Sequence, residues 1–373
     1  MESANGVVII GPAAADLEAW FVTEVGKRLE AVGRPVHRDG GRTDGDNLPA
    51  GVRVVLNSVD VERTRGFRRR SQDIFVVGIG QLPDVPDNML RAGYTLLVRS
   101  LSNVFITLVH GEKGPEAYIV TMEQGFHPVR HDGDDDAFFG TIVERLLPLV
   151  DSHLVINNAF HHDLPRELWN GDAHTEAMYR TGLRLAEFDL LPAPWPIDEL
   201  LAPDDLRHVL KLFGIGGLSY GNVSARHEGN TFWMSASGID KSHLREIGRE
   251  ILLVTGYDET RHVIHLSVPE GVRPRRVSVD AVEHVMIYRE HPSVGAILHV
   301  HGWMDSVTDA TEVVYPCGTH ELATEVAELV RQAPDPSRAV IGLRNHGLTI
   351  TGHDLDEILE RVGHRVVRRV PMT

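Results

Sequence analysis

Apolar positions along the chain fall into two rhythms. Val7-Val8-Ile9-Ile10 is an unbroken apolar run closed by Gly11-Pro12, the pattern of a strand buried on both faces. From about Ala13 to Val32, apolar residues recur at three- and four-residue intervals among charged ones, which predicts an amphipathic helix. Further apolar runs predict strands at Val52 to Leu56, Ile74 to Gly78, Tyr94 to Val98, Val104 to Val109 and Ala117 to Thr121, and a helix over Asp135 to Val150. Strands alternating with helices predict a three-layer α/β domain with a partly parallel sheet over residues 1–155. Its glycine turns, Gly11-Pro12 and Gly78-Ile79-Gly80, do not make a dinucleotide fingerprint. A nucleotide or sugar site there competes with a purely scaffolding or oligomer-building role.

A helix over Asp172 to Glu187 and the stiff Leu191-Pro192-Ala193-Pro194-Trp195-Pro196 connector predict a bridging segment, residues 156–197, ahead of a second domain at 198–373. Within the bridge, His161 and His162 are adjacent, so a strand points them to opposite faces, and a surface pair is expected. The length of 373 residues suffices for two cores. A net charge of −16 argues against a nucleic-acid partner, which needs clustered Lys and Arg. The basic stretch Arg361 to Arg369 reads instead as favourable charge at the end of a helix from Leu355 to Arg369. The single cysteine, Cys317, excludes an internal disulfide and suits a reducing cytoplasm. With no leader pattern and no apolar run of spanning length, a cytoplasmic protein without a membrane partner is expected.

The chemistry concentrates in the second domain. The run Gly295-Ala296-Ile297-Leu298 predicts a strand ending in His299-Val300-His301, whose two imidazoles project from one face. Among 21 histidines such a pair arises by chance, so its surroundings decide. Asp280, His284 and Tyr288 recur at helical i, i+4, i+8 spacing just upstream, and His291-Pro292 ends that helix before the strand begins. A third imidazole, His346 of Asn345-His346-Gly347, completes a facial tripod with an open fourth position, the ligand set of a catalytic divalent cation. Zinc is the first expectation, and iron, manganese or cobalt suit the same donors. On the Asp280 helix, Glu283 and Glu290 fall off the Asp280 face and are expected in solvent, while His284 either orients Asp280 or a substrate oxygen or packs as a core histidine.

In order, Gly221-Asn222-Val223-Ser224-Ala225-Arg226, Ser235-Ala236-Ser237-Gly238, Asp280-x3-His284-x3-Tyr288, His299-x-His301 and Asn345-His346-Gly347 make a specific set over about residues 200–360. This set resembles the class II aldolase/adducin family. The resemblance implies an α/β/α domain on a mainly antiparallel sheet, with His299, His301 and His346 as metal ligands and Asp280 as the base. It implies that Asn222, Ser237, Gly238 and Ser278 position the anionic end of a small-molecule substrate. Val279 stands where relatives often carry a second serine, which removes one hydroxyl from a phosphate cradle. No tyrosine follows Tyr315, so Tyr315 or Tyr220 is the candidate phenolic acid. Fourteen residues separate His301 from Pro316, a short loop over the site. A homo-oligomer, up to a tetramer, is implied as well.

The implied activity is a metal-dependent carbon–carbon lyase of the class II aldolase type, acting through an enediolate on a hydroxylated carbonyl or sugar-derived compound. An epimerase or decarboxylase would share that intermediate. An iron-dependent oxygenase and a non-catalytic, adducin-like interaction protein are the other readings. Members of the last kind typically lack the histidines.

Overall fold

A computed structural model describes residues 5–11, 15–39, 48–67, 74–121, 125–190, 203 and 221–372. The chain forms two compact units, Met1–Ser152 with Met372–Thr373, and His153–Pro371. The Pro-rich connector at 191–196 and Tyr220 lie outside the described residues.

The first unit is built on a seven-stranded sheet of order β2-β1-β3-β4-β5-β6-β7. Its strands are β1 (Gly6–Ile10), β2 (Val36–Asp39), β3 (Val52–Ser58), β4 (Phe75–Gln81), β5 (Val104–His110), β6 (Pro115–Thr121) and β7 (Phe126–Arg130). Strands β1 to β5 pair in parallel, and β6 and β7 add antiparallel. Helices α1 (Asp16–Ala31) and α3 (Asp135–Asp151) pack together, with Trp20 stacked on Phe138. Gly26 of α1 meets Ile9 on one sheet face, whereas Gly93 of α2 (Met89–Arg99) meets Thr107 and Val120 on the other, giving three layers. The expected strand at Tyr94 to Val98 is therefore helix. Asn88 accepts the Arg91 amide as its N-cap, and Met89, Gly93, Leu96 and Leu97 supply a buried helical stripe. A five-residue apolar run cannot by itself distinguish that stripe from a strand.

The second unit carries an eight-stranded sheet of order β14-β15-β13-β9-β10-β11-β12-β8. It comprises β8 (Asn157–His161), β9 (Asn222–Arg226), β10 (Phe232–Ser235), β11 (Ile251–Asp258), β12 (Val263–Ser267), β13 (Ala296–Val300), β14 (Val340–Leu343) and β15 (Gly347–Gly352). All pairs are antiparallel except β12 with β8. Strand β8 and helix α4 (Ala173–Glu187), read from sequence as part of a bridge, are thus integral to this unit's sheet and core. The register puts Asn222, Ser224, His299 and Thr349 on one face, under helix α5 (Ala281–Glu290), while Trp233 projects from the other toward the N-terminus of α4.

Helix α6 (His320–Gln332) packs on α5, and α7 (Leu355–Val362) packs on α4. The expected helix from Leu355 to Arg369 stops at Val362. Beyond Gly363 the chain turns, and Val367 exchanges two backbone hydrogen bonds of 2.9 Å with Trp303, so pairing with the segment after His301 prevails over helix continuation. Of the basic stretch, only Arg361 therefore lies in the helix's last turn. Among the described residues, no helix is long and apolar enough to cross a membrane.

Candidate metal centre

The three imidazoles separated in sequence converge in space. One nitrogen from each of His299, His301 and His346 lies within 4.8 Å of the other two, and ring centroids are 4.6 to 5.1 Å apart. His299 is the fourth residue of β13, and His301 lies one residue past the strand's end, half-buried. His346 comes from the tight connection between β14 and β15. There Asn345 adopts φ +62°, which few residues other than glycine tolerate, and the His346 amide donates to Leu343 O. Two glycines permit the close approach. A Cβ on Gly347 would lie 2.2 Å from Val300 O, and one on Gly221 2.5 Å from His299 O.

Protonation suits these rings to a cation. The His299 Nδ1–H donates to Leu348 O at 3.1 Å, which leaves Nε2 with its lone pair, 3.1 Å from His346 Nε2. Burial, with His299 nearby, pushes His346 down to about 3. Burial and the two neighbouring rings also hold His301 well below the ordinary histidine range. Three clustered imidazoles, two of them held neutral by burial, offer nitrogen donors to a common point, and a divalent cation fits that donor set.

Asp280 sits beside them in an arrangement that forgoes local helix stability. It occupies the N-cap of α5 yet makes no capping hydrogen bond. Capping by a carboxylate contributes about 1 kcal/mol. Its Oδ2 instead accepts from Asn222 Nδ2 at 2.7 Å and Ser278 Oγ at 3.4 Å. Asn222 Nδ2 also donates to Ser278 Oγ at 3.2 Å, while its Oδ1 is buried without a partner among the described residues. Such an orphaned acceptor costs about 1–3 kcal/mol, an expense that makes sense where a ligand completes the site. Ser237 and Gly238, which is at φ +65°, border the same network. The Ser237 amide donates to Arg276 O, and the Ser278 amide donates to Ser235 O.

Residues 205–304 match the Class II Aldolase and Adducin N-terminal domain. Within the matched segment lie Asn222, Ser278, Asp280, His299 and His301, whereas His346 comes from beyond it. No curated protein matches the chain. Among solved structures, YgbL of Klebsiella pneumoniae, provisionally named an aldolase, epimerase or decarboxylase, is 16% identical. The match covers 51% of this chain and 84% of that one, with a TM-score of 0.34. YgbL of Escherichia coli gives 16%, 51%, 83% and 0.34 in the same order. An L-fuculose 1-phosphate aldolase gives 19%, 52%, 84% and 0.33.

Around the site the structure also corrects and adds. Glu283, expected in solvent, is 2% exposed and accepts a 2.6 Å hydrogen bond from Thr349 Oγ1. Helix α5 is packed against both the sheet and α6, so it has no fully solvated face. Burial, reinforced by the neighbouring Asp280 charge, pushes the Glu283 carboxyl up to about 8. Glu290 is exposed as expected and pairs with Arg331. His284 and Tyr288 both reach Ser224 Oγ, at 2.7 and 2.8 Å, and burial pushes His284 down to about 3. The His284 ring thus ties α5 to β9, and only the His284 amide reaches Asp280, donating to its backbone carbonyl at 3.2 Å.

The sequence reading passed over Lys241. It is 3% exposed, and burial pushes it down to about 8 against the opposing pull of Asp280 and Asp240, while its charge also acts on His301. Its being one of four lysines among 37 basic side chains does not mark it as buried. Lysine, unlike arginine, tolerates burial by adjusting its proton affinity.

Tyr315 is half-buried against the hydrophobic core. His161 is exposed as expected and stacks on His265, with 3.0 Å between their nitrogens. A second group, Asp172, His174 and His227, also brings donor atoms within 4.8 Å. Asp172, however, is committed as the N-cap of α4, accepting two backbone amides and Trp233 Nε1. The positive end of that helix opposes a cation.

Proposed function

We propose that the second unit is a metal-dependent carbon–carbon lyase acting on a small hydroxylated carbonyl compound. The observation that carries this reading is the convergence of three imidazoles beside a carboxylate that has left its capping role. His299, His301 and His346 would hold a divalent cation, zinc foremost, which would supply Lewis acidity to the carbonyl and hydroxyl oxygens of the substrate.

Asp280 moves the proton. Its Oδ2 is held by Asn222 and Ser278, so the carboxylate is pre-oriented for transfer to or from a substrate hydroxyl within hydrogen-bond reach. Lys241, protonated at neutral pH, places positive charge where the substrate becomes more negative as its carbon–carbon bond breaks. Asn222 together with the Ser237-Gly238 loop positions the polar end of the substrate. Val279 in place of a hydroxyl residue favours an unphosphorylated substrate. The phenol of Tyr315 is the proposed acid for the leaving fragment, acting within the homo-oligomer that belongs to this reading.

A panel of phosphorylated and unphosphorylated ketoses, assayed for release of an aldehyde fragment, tests the proposal. Wild-type protein is expected to release aldehyde from an unphosphorylated member, and Asp280→Asn to lower that rate by about 10²-fold or more while retaining metal. Stereoisomer interconversion without fragment release would make it an epimerase. A substrate-dependent uptake of oxygen would make it an oxygenase.

A further inference from the structure

The first unit has a crevice of its own. From β1 the chain crosses to β2 at one edge, and from β3 it crosses to β4 on the opposite side, so the connections diverge above the carboxyl ends of β1 and β3. Parallel sheets hold ligands at such a switch point. Gly11 closes β1 at φ +87°, and a Cβ there would lie 3.3 Å from Ser58 O, so the turn runs directly against the last residue of β3. Beside it opens a cleft of about 580 Å3 lined by Asn57, Ser58, Asp60, Arg63, Arg65 and Phe67, among others. That volume falls in the range of small-molecule sites.

Two observations give the cleft its chemistry. Ser58 Oγ is shielded from solvent and has no hydrogen-bond partner among the described residues, although it belongs to the lining. The sequence that follows is strongly basic. In a chain of charge −16, five of the eight residues from Arg63 to Arg70 are arginine; the last three lie outside the described residues. Asp60 opens the loop by accepting the amides of Glu62 and Arg63, which fixes the turn that presents Arg63. Guanidinium groups match phosphate oxygens in both charge and geometry.

We propose that this cleft binds a phosphate monoester of nucleotide or sugar-phosphate size. Arg63 and Arg65 hold the phosphate, and Ser58 with Asn57 meets the adjoining hydroxyls. The cleft's lining residues all belong to the first unit, and its test does not depend on turnover.

Titration calorimetry on the full chain with AMP and ribose 5-phosphate, against adenosine and ribose, tests it. At least one phosphorylated probe is expected to bind saturably with Kd below about 1 mM, with its unphosphorylated partner at least about fivefold weaker. The double variant Arg63→Ala/Arg65→Ala is expected to weaken the phosphorylated probe at least about fivefold. Both arginines are exposed, so the variant should melt with the wild type. Ser58→Ala provides a second variant and should weaken the same probe by a smaller factor. Absence of saturable binding by both phosphorylated probes, equal binding of the unphosphorylated ones, or a double variant within fivefold of wild type would overturn the proposal.

Discussion

The two units use sheets of similar width to opposite ends. In the first, parallel strands are covered on both faces, and the sheet interior is nearly all apolar, as in Val54, Val55, Leu56, Val76 and Val77. Its polar candidates gather at strand ends. In the second, antiparallel pairing sets Asn222, Ser224, His299 and Thr349 on one buried face, and α5 answers with Asp280, Glu283, His284 and Tyr288. In a polar layer of that kind most groups find partners, and an unpartnered atom is the exception, as His284 Nε2 is among the described residues. Asn222 Oδ1 is such an exception in the second unit, and Ser58 Oγ in the first.

The strongest way to break this contrast is at the imidazoles. His346→Ala, outside the family match, is expected to lower turnover by about 10³-fold or more, because two remaining imidazoles no longer close the ligand set. Activity within tenfold of wild type would remove His346 from the site. Next comes the buried acid. Glu283 is raised to about 8 in the folded chain against an ordinary 4.5, so between those values the folded state holds the extra proton. The Glu283 contribution to the stability of the metal-free protein should therefore fall as pH rises from about 4.5 to about 8, by on the order of a few kcal/mol, and level off above, while the depressed His284, His301 and His346 contribute the opposite slope below about 6.5. Urea unfolding across that window should show the difference in stability between wild type and Glu283→Gln shrinking as pH rises.

A smaller effect sharpens the role of close packing. Gly347→Ala places a methyl 2.2 Å from Val300 O and is expected to cost about 1–3 kcal/mol in unfolding free energy and to lower metal affinity as the hairpin shifts. Gly78→Ala in the first unit, where a Cβ would meet the Phe105 ring at 2.5 Å, should cost a similar amount with metal content unchanged. Smallest of all, Arg180→Ala removes an exposed pair with Asp356 and should change stability by less than about 0.5 kcal/mol.

Much of this was legible in the residue order because it follows from short-range geometry. The spacing of His299 and His301 and the i, i+4, i+8 alignment of Asp280, His284 and Tyr288 translate directly into shared faces. The same local logic misplaced Tyr94 to Val98, where a short apolar run fits strand and helix alike. It also put Glu283 in solvent, although a residue three positions past Asp280 shares its helix face, and there Glu283 meets Thr349 of β15. Lys241 escaped notice because only the tertiary fold shows a lone lysine to be buried. The helix expected to run to Arg369 failed for a related reason, since the partner that captured Val367 is Trp303, 64 positions upstream in the sequence.

Metal content per chain tests the central claim most directly. Protein purified without chelators and analysed by inductively coupled plasma mass spectrometry should carry about one divalent cation per chain, and His301→Ala, folded by circular dichroism, should carry almost none. Wild-type protein that takes up no zinc, iron, manganese or cobalt after exposure to each, or a His301→Ala variant that retains the full complement, would contradict it.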